Sequence, residues 1–225
     1  MNEPASIDSF VDKWRRRWPE WGLASVFVPS AQRARLSAWL TLLQELREAA
    51  WGGSDPTPGL AKLAWWQEEL RGWARGARRH PLGEVLQKLD AHWDALGRSL
   101  AVLPGTRAPA DARQDQAALR TFAAGVLACE SDLFGGGEPG PGDVDGVVEA
   151  LRVERALVQG GLDAAVRLLP ALEAASGASL TRPRRLQQAI VRERVRLAAR
   201  DRRADGRGRI APLRLLLAAW RAARA

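Results

Sequence analysis

The chain has 225 residues and a net charge of +8, enough length for one domain with its own core. Leu and Ala dominate, Tyr is absent and Val and Ile are sparse, which favours helix over sheet. A single cysteine, Cys129, excludes an internal disulfide and suits a reducing compartment. The most apolar run, Leu213–Trp220, contains Arg214 and is far shorter than the ~20 residues of a membrane span. MNEPASIDSF lacks the basic and apolar regions of a secretory signal.

Residues 1–24 form a basic, Trp-rich segment, and Pro19 breaks any helix within it. Trp14, Trp18 and Trp21 beside Arg15–Arg17 suit a membrane or protein interface better than joint burial. From Ser30, a candidate cap, a long helix is predicted, with Leu36, Trp39, Leu40, Leu43, Leu46 and Ala50 at helical spacing. Gly52–Gly59 is a turn-rich break. A second helix places Leu63, Trp66, Leu70, Trp73 and Ala77 on one face. His80-Pro81 reads as a helix-start device for a third helix reaching toward Leu100.

After a loop at 104–113, a fourth helix covers 114–134 and stops at Gly135–Gly137. The EPGPGD loop follows, then helices at 143–160 and 162–176, one from Pro183 to Ala204 and a last from Pro212. The expectation is an all-α, single-domain bundle of about seven to eight helices.

Charge is uneven. Residues 182–209 hold eleven arginines against Glu193, Asp201 and Asp205, while the rest of the chain is balanced. Arg192, Arg196, Arg200 and Arg203 line one face of the helix, a candidate surface for an anionic membrane or an acidic partner. The plainer reading is a solvated outer face. Two histidines twelve apart make no metal pair, and no zinc, helix-turn-helix or aromatic RNA-binding pattern is present, so neither a metal site nor a nucleic-acid partner is expected. Arg47 falls within the apolar stripe of the first long helix. There it must pair with a carboxylate, such as Glu48 or Glu69, or face a cavity and offer a fork to an anion.

Three runs together resemble one family. They are FVPSAQRARLSAWLTLLQELREAAW at 27–51, LAKLAWWQEELRGWARGARRHPL at 60–82 and the closing GRIAPLRLLLAAWRAARA. Their wording is similar to that of squalene and phytoene synthases, which join two prenyl diphosphates head to head. The resemblance implies an isoprenoid-synthase-like fold over residues 1–225. It also implies two aspartate clusters that hold magnesium, because carboxylates one turn apart can clamp the ions that bind a diphosphate. The first cluster falls on Arg47, Glu48 and Trp51, where only Glu48 keeps a carboxylate. The second falls within 150–167, where Asp163 has Arg167 one turn on. Ser25 resembles an early phosphate-contacting serine of the family.

The implied substrate-binding set is therefore Ser25, Arg47, Glu48 and Asp163, with no catalytic residue. Magnesium is implied only if transferase chemistry is kept. The expected function is a catalytically degenerate, prenyl-lipid-binding or assembly protein, cytoplasmic or peripheral at the inner membrane. The alternatives are an active prenyl-diphosphate transferase with altered metal use, and a basic membrane-surface protein without a small ligand.

Overall fold

The computed structural model describes residues 6–175, 179–200 and 210–224. Eleven α-helices and no strand occur among the described residues. They are α1 (Ile7–Arg17), α2 (Trp21–Ala24), α3 (Arg33–Trp51), α4 (Thr57–Trp73), α5 (Gly83–Leu86), α6 (Trp93–Ser99), α7 (Ala112–Phe134), α8 (Pro141–Val158), α9 (Leu162–Ala174), α10 (Arg182–Arg200) and α11 (Pro212–Arg224). Short 3-10 turns occupy Ser25–Phe27, Ser30–Gln32 and Leu100–Thr106.

The all-α expectation holds, but the helices outnumber the seven or eight expected. The N-terminal segment supplies two of the extra ones. Another arises where a single helix was predicted from Pro81 to Leu100. Asp132 accepts hydrogen bonds there from the His92 backbone N–H (3.0 Å) and pairs with its Nδ1 (2.6 Å), holding the chain out of helix between α5 and α6. Ser30 does not cap the long helix. It opens a 3-10 turn that leads into α3, whose N-cap Gln32 makes no side-chain cap. The second helix stops at Trp73, and Ala77 lies exposed beyond Gly76, whose φ of 82° reverses the chain.

Helix α3 is the centre. Fourteen of its nineteen residues are buried, on every side rather than along one stripe. α1, α4 and α8 pack around it. The outer helices follow one another as neighbours: α4 on α6, α6 on α7, then α8, α9, α10 and α11, and α11 returns to α2. Gly59 lets α4 approach α3, since a Cβ there would sit 2.2 Å from the Ala49 carbonyl oxygen. The buried apolar side chains form one continuous cluster.

Aromatic rings fill the crossing of α3, α4 and α6. Trp73 and Trp93 meet edge to face at 5.1 Å, Trp66 and Trp73 at 6.2 Å, and Trp39 tilts against Trp93. Leu43 and Leu70 complete this crossing, both fully enclosed. Trp14, Trp18 and Trp21 are buried as well, correcting the expectation that they would face a membrane or partner. Two of them are seated by long-range hydrogen bonds. Trp18 Nε1 donates to Gln44 Oε1 and Trp21 Nε1 to Gln187 Oε1, each at 2.9 Å.

The turn after α4 is organised by Glu69, itself buried. Its Oε1 accepts from Trp73 Nε1 and from the backbone N–H groups of Arg79 and His80, all within 2.8 Å. His80 packs against Phe10 and Trp66, and its Nδ1 accepts the Leu82 N–H at 3.1 Å. Burial pushes its pKa down to about 4, from an ordinary 6.5, so it is a neutral helix-start group at physiological pH.

Truncating Trp66, which has no exposed surface, to Ala should cost on the order of 3–5 kcal/mol in denaturant titration. His80 gives a pH prediction. Below about 6.5 the unfolded chain binds a proton that the folded chain refuses until about 4, so the stabilisation is complete above that window and is lost as pH falls through it. Urea titrations at several pH values should show this decline, and His80→Gln should flatten it.

Candidate functional site

A cavity of about 880 Å³ opens between α1, α2, α3, α8, α10, α11 and the start of α9. Its polar wall carries Arg16, Arg17, Arg47, Arg194, Glu20 and Glu154. Its apolar wall includes Trp18, Leu23, Leu157, Val158, Leu162 and Leu215.

Arg47 is the floor. It is 4 % exposed, donates from Nε to the Leu43 carbonyl (2.9 Å) and pairs through Nη1 with Glu154, 3 % exposed. Glu154 is held from its other side by Gln187 Nε2 at 3.0 Å. Gln187 in turn accepts from Trp21, so α2, α3, α8 and α10 meet in one hydrogen-bonded chain. A second buried pair joins α10 to α7: Arg184 forks onto Glu130, whose Oε1 also accepts Trp39 Nε1 at 2.8 Å. Burial opposes the charge on Arg184, but Glu130 more than offsets it and Glu154 adds to the effect.

Arg194 closes the side wall. Its guanidinium forks onto Glu20 at 2.7 and 2.6 Å and lies 3.9 Å from the centre of the Trp18 ring. The two carboxylates of the wall, Glu20 and Glu154, are therefore already engaged by guanidinium groups. Arg16 and Arg17 stand exposed at the mouth. Arg17 reaches only as far as 3.9 Å from Glu48, and among the described residues no carboxylate pairs with Arg16. The cavity thus has an apolar body, a neutralised floor and a lip with free positive charge.

Of the four substrate-binding residues suggested by the resemblance, Arg47 alone lines this cavity. Ser25 is half-buried in the turn after α2, its carbonyl accepting the Val28 N–H. Asp163 is exposed in the first turn of α9. Glu48 faces Lys13, which bridges it to Glu45 at 2.9 Å on each side, while Lys62 takes the other Glu45 oxygen. Burial would raise the Glu45 carboxyl, but Lys62 and Lys13 hold it below its ordinary value. Ammonium groups thus occupy the carboxylates at the end of α3, and Asp163 does not face the cavity. These residues do not fit a magnesium clamp.

The basic stripe of α10 is also partly consumed within the fold. Arg192 donates to the Leu172 and Ala175 carbonyls at the end of α9, and burial lowers its pKa. Arg196 pairs with Glu173 and Glu193. Arg200 is exposed, and Arg203 lies outside the described residues.

The residues missed from sequence are Glu154, Gln187 and Arg194. Glu154 carried a readable signal: it sits three residues after Leu151 and seven after Val147, on the buried face of α8. No protein-family model matches the chain, and no curated protein or solved structure shows significant similarity to it.

Arg47→Ala leaves Glu154 buried without its guanidinium and should cost about 3–5 kcal/mol. The double replacement Arg47→Met/Glu154→Met should recover much of that loss, because the stranded charge disappears with its partner. Urea denaturation of Arg47→Met, Glu154→Met and the double variant measures the coupling directly.

Proposed function

We propose that the protein is a squalene/phytoene synthase-like binding protein that holds an anionic isoprenoid lipid, such as a prenyl diphosphate, without performing transferase chemistry. The cavity carries this reading. An apolar body beneath a lip of two exposed guanidinium groups, Arg16 and Arg17, matches a long hydrocarbon chain ending in phosphate. Its volume, about 880 Å³, falls in the range of ligand pockets, roughly 300–1,000 Å³. The resemblance of the 27–51 and 60–82 runs supplies the isoprenoid class. The lysines on Glu45 and Glu48 support the loss of metal-dependent catalysis, since each ammonium takes oxygens that a hard divalent cation would need.

In this scheme Arg16 and Arg17 meet the phosphate, and the leucines and valine of α8, α9 and α11 receive the chain. Arg47 and Arg194 act as positioning residues, because their forks are already filled by Glu154 and Glu20.

Calorimetry with farnesyl diphosphate, with and without magnesium, tests the proposal. Binding should be equal in both conditions, with no pyrophosphate released. Arg16→Gln/Arg17→Gln should weaken it by roughly tenfold, about the worth of one charge-assisted hydrogen bond. Magnesium-dependent release of pyrophosphate, abolished by Glu48→Ala, would instead establish the transferase reading.

A further inference from the structure

Among the described residues seven large apolar side chains are more than one-third exposed, and five of them, Leu23, Val26, Leu213, Leu217 and Trp220, come from elements that pack on one another at one corner of the fold. Leu23 and Val26 come from α2 and the turn after it, against which α11 packs. Leu213, Leu217 and Trp220 fall at i, i+4 and i+7, so they form one outward stripe of α11. Leu213 is 83 % exposed, an extreme value for a leucine in a helix whose opposite face, at Leu215 and Ala219, is buried. Arg221 and Arg224 continue the stripe toward the C-terminus, and the Arg224 guanidinium lies 4.8 Å from the Trp220 ring centre.

Clustered exposed apolar residues rimmed by basic groups mark an interaction surface rather than ordinary surface scatter. We propose that this corner is the face by which the protein docks on an anionic bilayer, with α11 lying in the interfacial plane. Charge complementarity selects the partner. The stripe ends in two arginines, Arg221 and Arg224, in the last turn of α11. A second copy of the chain would bring these same positive charges together, so a bilayer fits better. Tryptophan with flanking arginine also suits the boundary between acyl chains and headgroups.

The corner is continuous with the cavity. Leu23 belongs to both, and Pro212 and Leu215 of α11 line the cavity wall. Docking here places the cavity mouth beside the membrane surface, from which an apolar ligand could transfer without crossing water. That consequence rests on the lipid-binding reading above; the docking itself does not.

Co-sedimentation with phosphatidylglycerol and phosphatidylcholine vesicles tests the docking. The wild-type chain should pellet with the anionic vesicles in low salt and be released by high salt. Leu213→Ser/Leu217→Ser/Trp220→Ser should reduce pelleting by about tenfold or more, as should Arg221→Gln/Arg224→Gln. Leu60→Ser, which removes an equally exposed leucine on α4, should change nothing. Circular dichroism melting confirms that each variant is folded. Equal pelleting of the triple variant overturns the proposal. So does a wild-type dimer in analytical ultracentrifugation that the triple variant loses, with no vesicle binding by either. Farnesyl diphosphate calorimetry on the triple variant separates the two proposals. Ligand binding kept while vesicle binding is lost assigns the corner to docking alone, whereas vesicle binding by a wild-type chain that takes no farnesyl diphosphate leaves docking standing without the lipid-binding reading.

Discussion

Burial of α3, fourteen of whose nineteen residues are enclosed, is the constraint on which the rest of the fold depends. Where a helix is enclosed on all sides, as α3 is from Ala38 to Arg47, its polar residues must be satisfied by other elements. Gln44, Glu45 and Arg47 are each under 5 % exposed, and each recruits a different partner. Gln44 seats Trp18 and so fixes the N-terminal segment. Glu45 draws in Lys13 and Lys62 from opposite sides. Arg47 selects Glu154 and so sets the approach of α8. Three polar positions on one helix thus specify where three neighbours dock. The last of them also becomes the floor of the cavity.

The carboxylates at the end of α3 illustrate how neutralisation is achieved without an ion. Only three of the 34 basic residues are lysines, and two of those three sit on Glu45. An ammonium is a compact point charge with donors in three directions, able to bridge two carboxylates as Lys13 does. A planar guanidinium often engages one carboxylate through two parallel bonds, as Arg184 and Arg194 do, although Arg196 spans Glu173 and Glu193. Opposite charges then stabilise the folded state locally, with Glu45 held ionised despite its burial.

What was legible in the sequence is local. The apolar spacing of α3 and α4 identified Trp39, Leu43, Trp66, Leu70 and Trp73 as core, because helical periodicity reports directly on which face is covered. The position of Arg47 among leucines marked it as enclosed for the same reason. Its partner was not legible: Glu154 lies on α8, and the local candidates Glu48 and Glu69 turned out to be committed to Lys13 and to the turn at Arg79. The break between α5 and α6 depends on Asp132, forty residues away. The N-terminal tryptophans were misjudged because a Trp-Arg alternation has two physical solutions. Arginines can line a membrane beside exposed rings, or turn outward while the rings enter the core. Buried acceptors at Gln44 and Gln187 decide for the second.

The same ambiguity governs charge. A count of eleven arginines across residues 182–209 suggests a basic surface, yet the partners within α10 tell a different story. Arg184 is tied to Glu130, Arg185 to the Ala222 carbonyl, Arg192 to carbonyls of α9, Arg194 to Glu20 and Arg196 to Glu173. A guanidinium is well suited to this work, since its five donors can satisfy a carboxylate and a carbonyl at once while its stem packs on apolar neighbours. α10 is accordingly a clamp that gathers α2, α7, α9 and α11, and the carboxylates on Arg184, Arg194 and Arg196 neutralise part of its formal charge. Free positive charge is displaced to the edges instead, to Arg16 and Arg17 at the cavity mouth and to Arg221 and Arg224 at the end of α11. Arg221 and Arg224 continue the exposed apolar stripe of α11, so the residues available to a partner there are the ones the bundle itself does not use.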